Sequence, residues 1–78
     1  MTLAEKFIIL PYRKNRGHLV PGEMRQASNE GSAERTAAAM ASRFAGVAAY
    51  AVMVDTETGD MTSPRLLAQH GEIAELNP

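Results

Sequence analysis

The sequence predicts a two-layer α+β domain of order ββαββ, with one helix packed on a four-stranded, mainly antiparallel sheet. Three observations carry this expectation. Two runs, Lys6 to Arg13 and Val47 to Asp55, concentrate aromatic, aliphatic and β-branched residues in stretches shorter than a buried helix. Between them, the alanine-rich segment Ser32 to Ala45 repeats apolar residues at helical spacing. Turn-forming residues at Lys14 to Gly17, Ser28 to Ser32, Gly46 and Thr56 to Asp60 then divide the chain into five elements.

The first strand, Lys6 to Arg13, is apolar on both faces, and Pro11 removes one ladder donor near its end. Asn15-Arg16-Gly17 supplies residues that tolerate positive φ, so the chain should reverse there and return as a second strand from His18 to about Ala27, with Pro21 and Gly22 suited to an edge. Ser32 or Asn29 can accept hydrogen bonds from the first free amides of the helix, and Glu34 favours the positive end of its dipole. Ala33, Ala37, Met40, Ala41 and Phe44 form the apolar face, Met40 and Phe44 supply most of its volume, and Gly46 is the expected left-handed cap. The third strand spans Val47 to Asp55. A hairpin loop, Thr56 to Asp60, follows with Gly59 at the demanding dihedral, and the fourth strand runs from about Ser63 to Gln69, Pro64 again fitting an edge. Beyond it, residues 70–78 form a tail in which Ile73 and Leu76 either make one helical turn or dock against the domain.

A sheet ordered second, first, third, fourth puts the two most apolar strands in the centre, the proline-bearing return strands at the edges, and every pair antiparallel. The alternative is two separate hairpins joined through the helix, with the second and third strands parallel. The first order also sets the basic loop at Arg13 to His18 and the acidic loop at Asp55 to Asp60 at opposite ends of the sheet, near the helix C-terminus and N-terminus, where each complements the dipole. Residues 1–22 carry four bases against one acid and residues 55–78 one base against five acids, so the chain is polarised although its net charge is −1.

Seventy-eight residues form a single domain, 1–78. Alanine accounts for thirteen of the hydrophobic residues, so the core is thin, and partner binding or self-association is a reasonable source of further stability. The pattern points the same way. In the first strand Phe7 and Ile9 lie on one face and Ile8, Leu10 and Tyr12 on the other; in the third, neither alternate set is polar. One helix covers one face, so the other needs a cover: the tail, a second copy, or another protein. This makes Ile8, Leu10, Tyr12, Tyr50, Val52 and Val54 the candidate interaction face of a non-enzymatic module, homodimeric or bound to a protein partner.

Cysteine is absent, which excludes disulfides, thiolate metal sites and thiol catalysis and leans towards a reducing compartment. His18 and His70 lack a paired ligand spacing, and Asp55 to Asp60 departs from a calcium loop in the position of its glycine, so no metal site is expected. No nucleophile elbow, catalytic triad signature or phosphate-cradling glycine loop is present, and neither a catalytic residue nor a cofactor is assigned. The alternative function is nucleic-acid or phosphate-ligand binding at Arg13, Lys14, Asn15 and Arg16, where three obligate cations share one turn and Tyr12 and Tyr50 could stack bases. No export signal is visible, and the longest uncharged apolar stretch, Ala45 to Val54, is about half a membrane span, so a cytoplasmic protein with no membrane partner is expected.

Three segments, Ala33-Glu34-Arg35-Thr36-Ala37 leading into Arg43 and Gly46, Thr58-Gly59-Asp60, and Leu67 to Ile73, together resemble a family of short, soluble alphaproteobacterial proteins without an assigned role. Tyr50-Ala51-Val52 departs from the Phe-Ser-Arg-like stretch of those relatives. The resemblance implies a small cytoplasmic bacterial protein and carries over no activity or ligand.

Overall fold

The computed structural model describes residues 2–73. In chain order these form β1 (Leu3–Asn15), β2 (His18–Pro21), β3 (Arg25–Ala27), α1 (Glu30–Met40), β4 (Gly46–Asp55) and β5 (Met61–Gly71). The architecture is a small α+β fold with one helix on an antiparallel sheet whose order is β2-β1-β4-β5, with β3 also paired to β1. A continuous antiparallel ladder runs from Leu3 opposite Asp55 to Tyr12 opposite Gly46, which excludes the arrangement of two separate hairpins.

The sheet has five strands rather than the expected four, because the return strand from His18 to Ala27 is interrupted. Pro11 is the physical cause. A strand residue's N–H and C=O point to the same side, and the Pro11 carbonyl accepts from the Gly22 amide at 2.8 Å, so the missing Pro11 donor also faces the return strand. Pairing proceeds from Asn15 opposite His18 as far as Tyr12 opposite Pro21, breaks, and resumes at Ile9 opposite Arg25. Leu10 and Pro11 thus face three residues, 22–24, and the one-residue excess divides the strand in two. The reversal that starts it has two residues at positive φ, Arg16 at 52° and Gly17 at 84°, the geometry of a tight hairpin turn whose twist matches its strands.

Asn29 caps α1, its side chain accepting from the Ser32 amide at 2.7 Å, and the acidic first turn carries Glu30, which faces Arg65 of β5 at 3.6 Å. The helix ends at Met40, short of the expected Ala45. Ala41 remains right-handed, and residues 41–45 descend as turns that bring Phe44 onto the core. Gly46 is accordingly no helix cap; it is the first residue of β4. At the opposite end of the sheet the Asp55 carboxylate accepts from the Glu57 amide at 2.9 Å, Gly59 takes φ +80°, and the Thr56 amide ties the loop to the Thr2 carbonyl.

Two apolar layers result, one on each face of the sheet. Ile9, Val47 and Ala49 meet Ala33, Ala37 and Met40 beneath the helix, with Phe7, Phe44 and Leu67 around them. Ile8, Ala48, Tyr50 and Val52 form a second cluster on the face without a helix. No helix among the described residues is long and apolar enough to cross a membrane.

Candidate functional site

The helix-free face is the site that the topology builds. Period-two alternation places Ile8, Leu10 and Tyr12 of β1 beside Tyr50, Val52 and Val54 of β4, and the ladder sets Ile8 directly opposite Tyr50 and Ala48 opposite Leu10. The six candidate residues therefore share this face, but only Ile8, Tyr50, Val52 and Val54 pack into one cluster; Tyr12, opposite Gly46, and Val54, opposite Ala4, stand at its two ends. They do not form an open surface, however: Ile8, Tyr12, Tyr50 and Val52 are between 2 and 5% exposed, and Leu10 and Val54 are half-buried. Long polar side chains stand round the centre by register, Gln26 opposite Ile8, Lys6 opposite Val52 and Gln69 opposite Ala48. Exposed apolar side chains adjoin the cluster on β5, where Leu66 opposite Tyr50 is 48% exposed and Met61 opposite Val54 is 46% exposed; Leu3, Val20 and Met24 are exposed as well.

The cover comes partly from the chain itself. Gly71 adopts φ +68° and turns the chain out of β5, and the Glu72 amide donates to the Ala45 carbonyl at 3.1 Å. Gly46, which faces the same side as Ala48, has no Cβ, and one built there would overlap the Glu72 carbonyl; the strap after Gly71 crosses the sheet at the level where a side chain would stand. Lys14, one turn of the pleat beyond Tyr12 on this face, pairs with the Glu72 carboxylate at 3.0 and 3.2 Å. Ile73 then packs against the Ile8, Ala48, Tyr50 and Val52 cluster. The expected apolar role of Ile73 is met; Leu76 lies outside the described residues.

Burial raises the Tyr12 hydroxyl above its ordinary pKa of 10.0. Since the folded state favours the neutral phenol, this contribution to stability is complete below the unfolded pKa and is lost as pH rises through the folded one. Urea midpoints on the alkaline side of pH 10.0 should thus fall less steeply for Tyr12→Phe than for the unsubstituted protein. Equal slopes would show that Tyr12 is not the group responsible.

The basic turn is less concentrated than its sequence suggests. Arg13 and Lys14 are successive strand residues and project from opposite faces. Arg13 lies over the Phe44 ring with 5.0 Å to its centroid, and Lys14 is engaged by Glu72, both groups being roughly half exposed. Arg16 occupies the tip of the hairpin. The three cations thus diverge instead of converging on one anion. Among the described residues, no group of three His, Asp or Glu is placed to hold a metal ion.

Sequence reasoning missed the Gly46 and Gly71 pair, which stand opposite each other in the ladder, and the Lys14–Glu72 bridge that depends on them. Their signal was faint: one glycine opening the apolar β4 and one closing β5, the second followed by an acid and an isoleucine. No protein-family model matches the chain, and no curated protein or solved structure is significantly similar to it.

Proposed function

We propose that the protein is a non-enzymatic interaction module of the cytoplasm, self-associating or binding a protein partner through the helix-free sheet face. One observation carries this reading. The Ile8, Ala48, Tyr50 and Val52 cluster receives no helix, takes Ile73 from outside the sheet, and continues on β5 into the exposed side chains of Leu66 and Met61. Burying such surface against a second apolar face contributes about 25 cal/mol per Å², which a domain with so thin a core has reason to use.

Leu66→Glu is the direct test, because Leu66 is exposed in the single chain and its loss should leave the fold intact. Light scattering or sedimentation should show association of the unsubstituted protein that Leu66→Glu abolishes. Glu34→Gln, on the exposed side of the helix, should leave it unchanged. A protein that remains monomeric at every concentration and captures no protein partner would overturn the proposal. If single-stranded RNA bound instead, with a log–log salt slope of about −0.7 per phosphate contact and loss in Arg13→Ala/Arg16→Ala, the site would move to the hairpin turn.

A further inference from the structure

Beyond the choice of face, the strap that follows β5 specifies what the face accepts. Three features form one socket for it. The missing Cβ of Gly46 leaves a slot at backbone height in which the Glu72 main chain lies. Lys14 supplies a cation for the carboxylate of the same residue, 3.0 Å away. Ile8, Ala48, Tyr50 and Val52 provide an apolar floor for the next side chain, Ile73. An extended segment reading acid then branched aliphatic satisfies all three, and every copy of this chain carries one immediately after a glycine.

The described contacts that hold the strap within one chain are light. Among the described residues they consist of the Glu72 amide bond to Ala45, an ion pair whose two side chains are about half exposed, and the half-buried Ile73. Exposed pairs of this kind contribute little. Gly71 is the single pivot, and glycine adopts its present φ of +68° or an extended conformation without steric penalty, so the strap can leave its own sheet while β5 stays in place.

We propose that the socket formed by Gly46, Lys14 and the Ile8, Ala48, Tyr50 and Val52 cluster accepts the Glu72–Ile73 strap of a second copy, and that two chains associate by exchanging straps reciprocally about Gly71. Exchange of an identical element remakes in the pair the contacts it gives up in the single chain, which makes it an inexpensive route to a dimer. The inference rests on the reading of the helix-free face as the interaction surface and adds the identity of its occupant.

Charge reversal tests it in the full chain. Lys14→Glu places like charges together in its own dimer, and so does Glu72→Lys. In an equimolar mixture, the socket of the Lys14→Glu chain receives the strap of the Glu72→Lys chain, which sets opposite charges together in reversed order, and the reciprocal site regains the original pairing. Exchange requires the mixed dimer to be about fivefold tighter than either variant alone, reflecting two restored exposed pairs. Both positions are exposed, so circular dichroism should show both variants folded. As a second measurement, isotope-filtered NMR on a mixture of labelled and unlabelled unsubstituted protein should give intermolecular contacts between the Ile73 methyls of one chain and the Tyr50 ring of the other. A dimer lost in Leu66→Glu but showing only intramolecular Ile73 contacts, with no gain on mixing, would overturn exchange and leave the face as the interface. A protein that never self-associates would overturn exchange, and one that also captured no protein partner would overturn the reading of the face.

Discussion

Ile9→Ala is expected to lower stability by about 2–5 kcal/mol, enough to unfold much of the population of a domain this small. The magnitude follows from what the helix brings to the core. Of its three buried residues, Ala33 and Ala37 contribute only methyl groups, leaving Met40 to supply volume. The filling beneath the helix therefore rests on β1 and β4, where Ile9 and Val47 are fully buried at the centre of the cluster. Removing three carbons from Ile9 leaves a cavity that alanine neighbours on α1 have no side-chain length to fill, so the loss lies towards the upper part of that range. The midpoint of urea unfolding measures it, with the slope against denaturant expected to remain constant if only stability changes. A midpoint within experimental error of the unsubstituted protein would mean that the layer beneath α1 does not hold the domain together. Ile8→Ala provides the informative contrast. It removes the same carbons from the opposite face, and its effect should depend on protein concentration if that face associates.

Much of this architecture was legible because local chemistry and fold agree. The near-continuous apolar runs within β1 and β4, the residues tolerant of positive φ at Arg16 and Gly17, Asn29 as a cap acceptor and Gly59 in the loop each act within a few residues of their own position. The elements that escaped depend on contacts distant in sequence. Pro11 divides the return strand only because its absent donor faces Gly22, and the side to which a strand residue's amide points depends on register. The helix stops at Met40 because Phe44 must reach the core and Gly46 must enter the sheet, so tertiary packing overrides alanine's helix propensity. The divergence of Arg13 and Lys14 was available from strand alternation alone, once β1 is carried through to Asn15. The strap was not available in this way, since its socket joins Lys14, Gly46 and Glu72 from three separate parts of the chain.

Gly46→Ala should eject the strap, at a cost of about 1–3 kcal/mol typical of overpacking. The added methyl would occupy the position of the Glu72 main chain, and backbone cannot yield as the end of a flexible side chain can. Relief requires the chain after Gly71 to lift away, which breaks the Glu72 amide bond to Ala45, separates Lys14 from Glu72 and withdraws Ile73 from the cluster. The side-chain NMR signals of Ile8, Tyr50 and Val52 should then shift, while those of Ile9 and Ala49 beneath α1 change less. Gly59→Ala is the matched control: its φ of +80° strains any L side chain, but nothing lies within 4 Å of the new methyl, so stability falls without release of the strap. The same substitution at Gly46 closes the slot to an incoming strap as firmly as to the resident one. Release of the strap must therefore be accompanied by loss of association; a Gly46→Ala protein that still dimerised with the affinity of the unsubstituted chain would show that association uses Leu66 and Met61 without the slot.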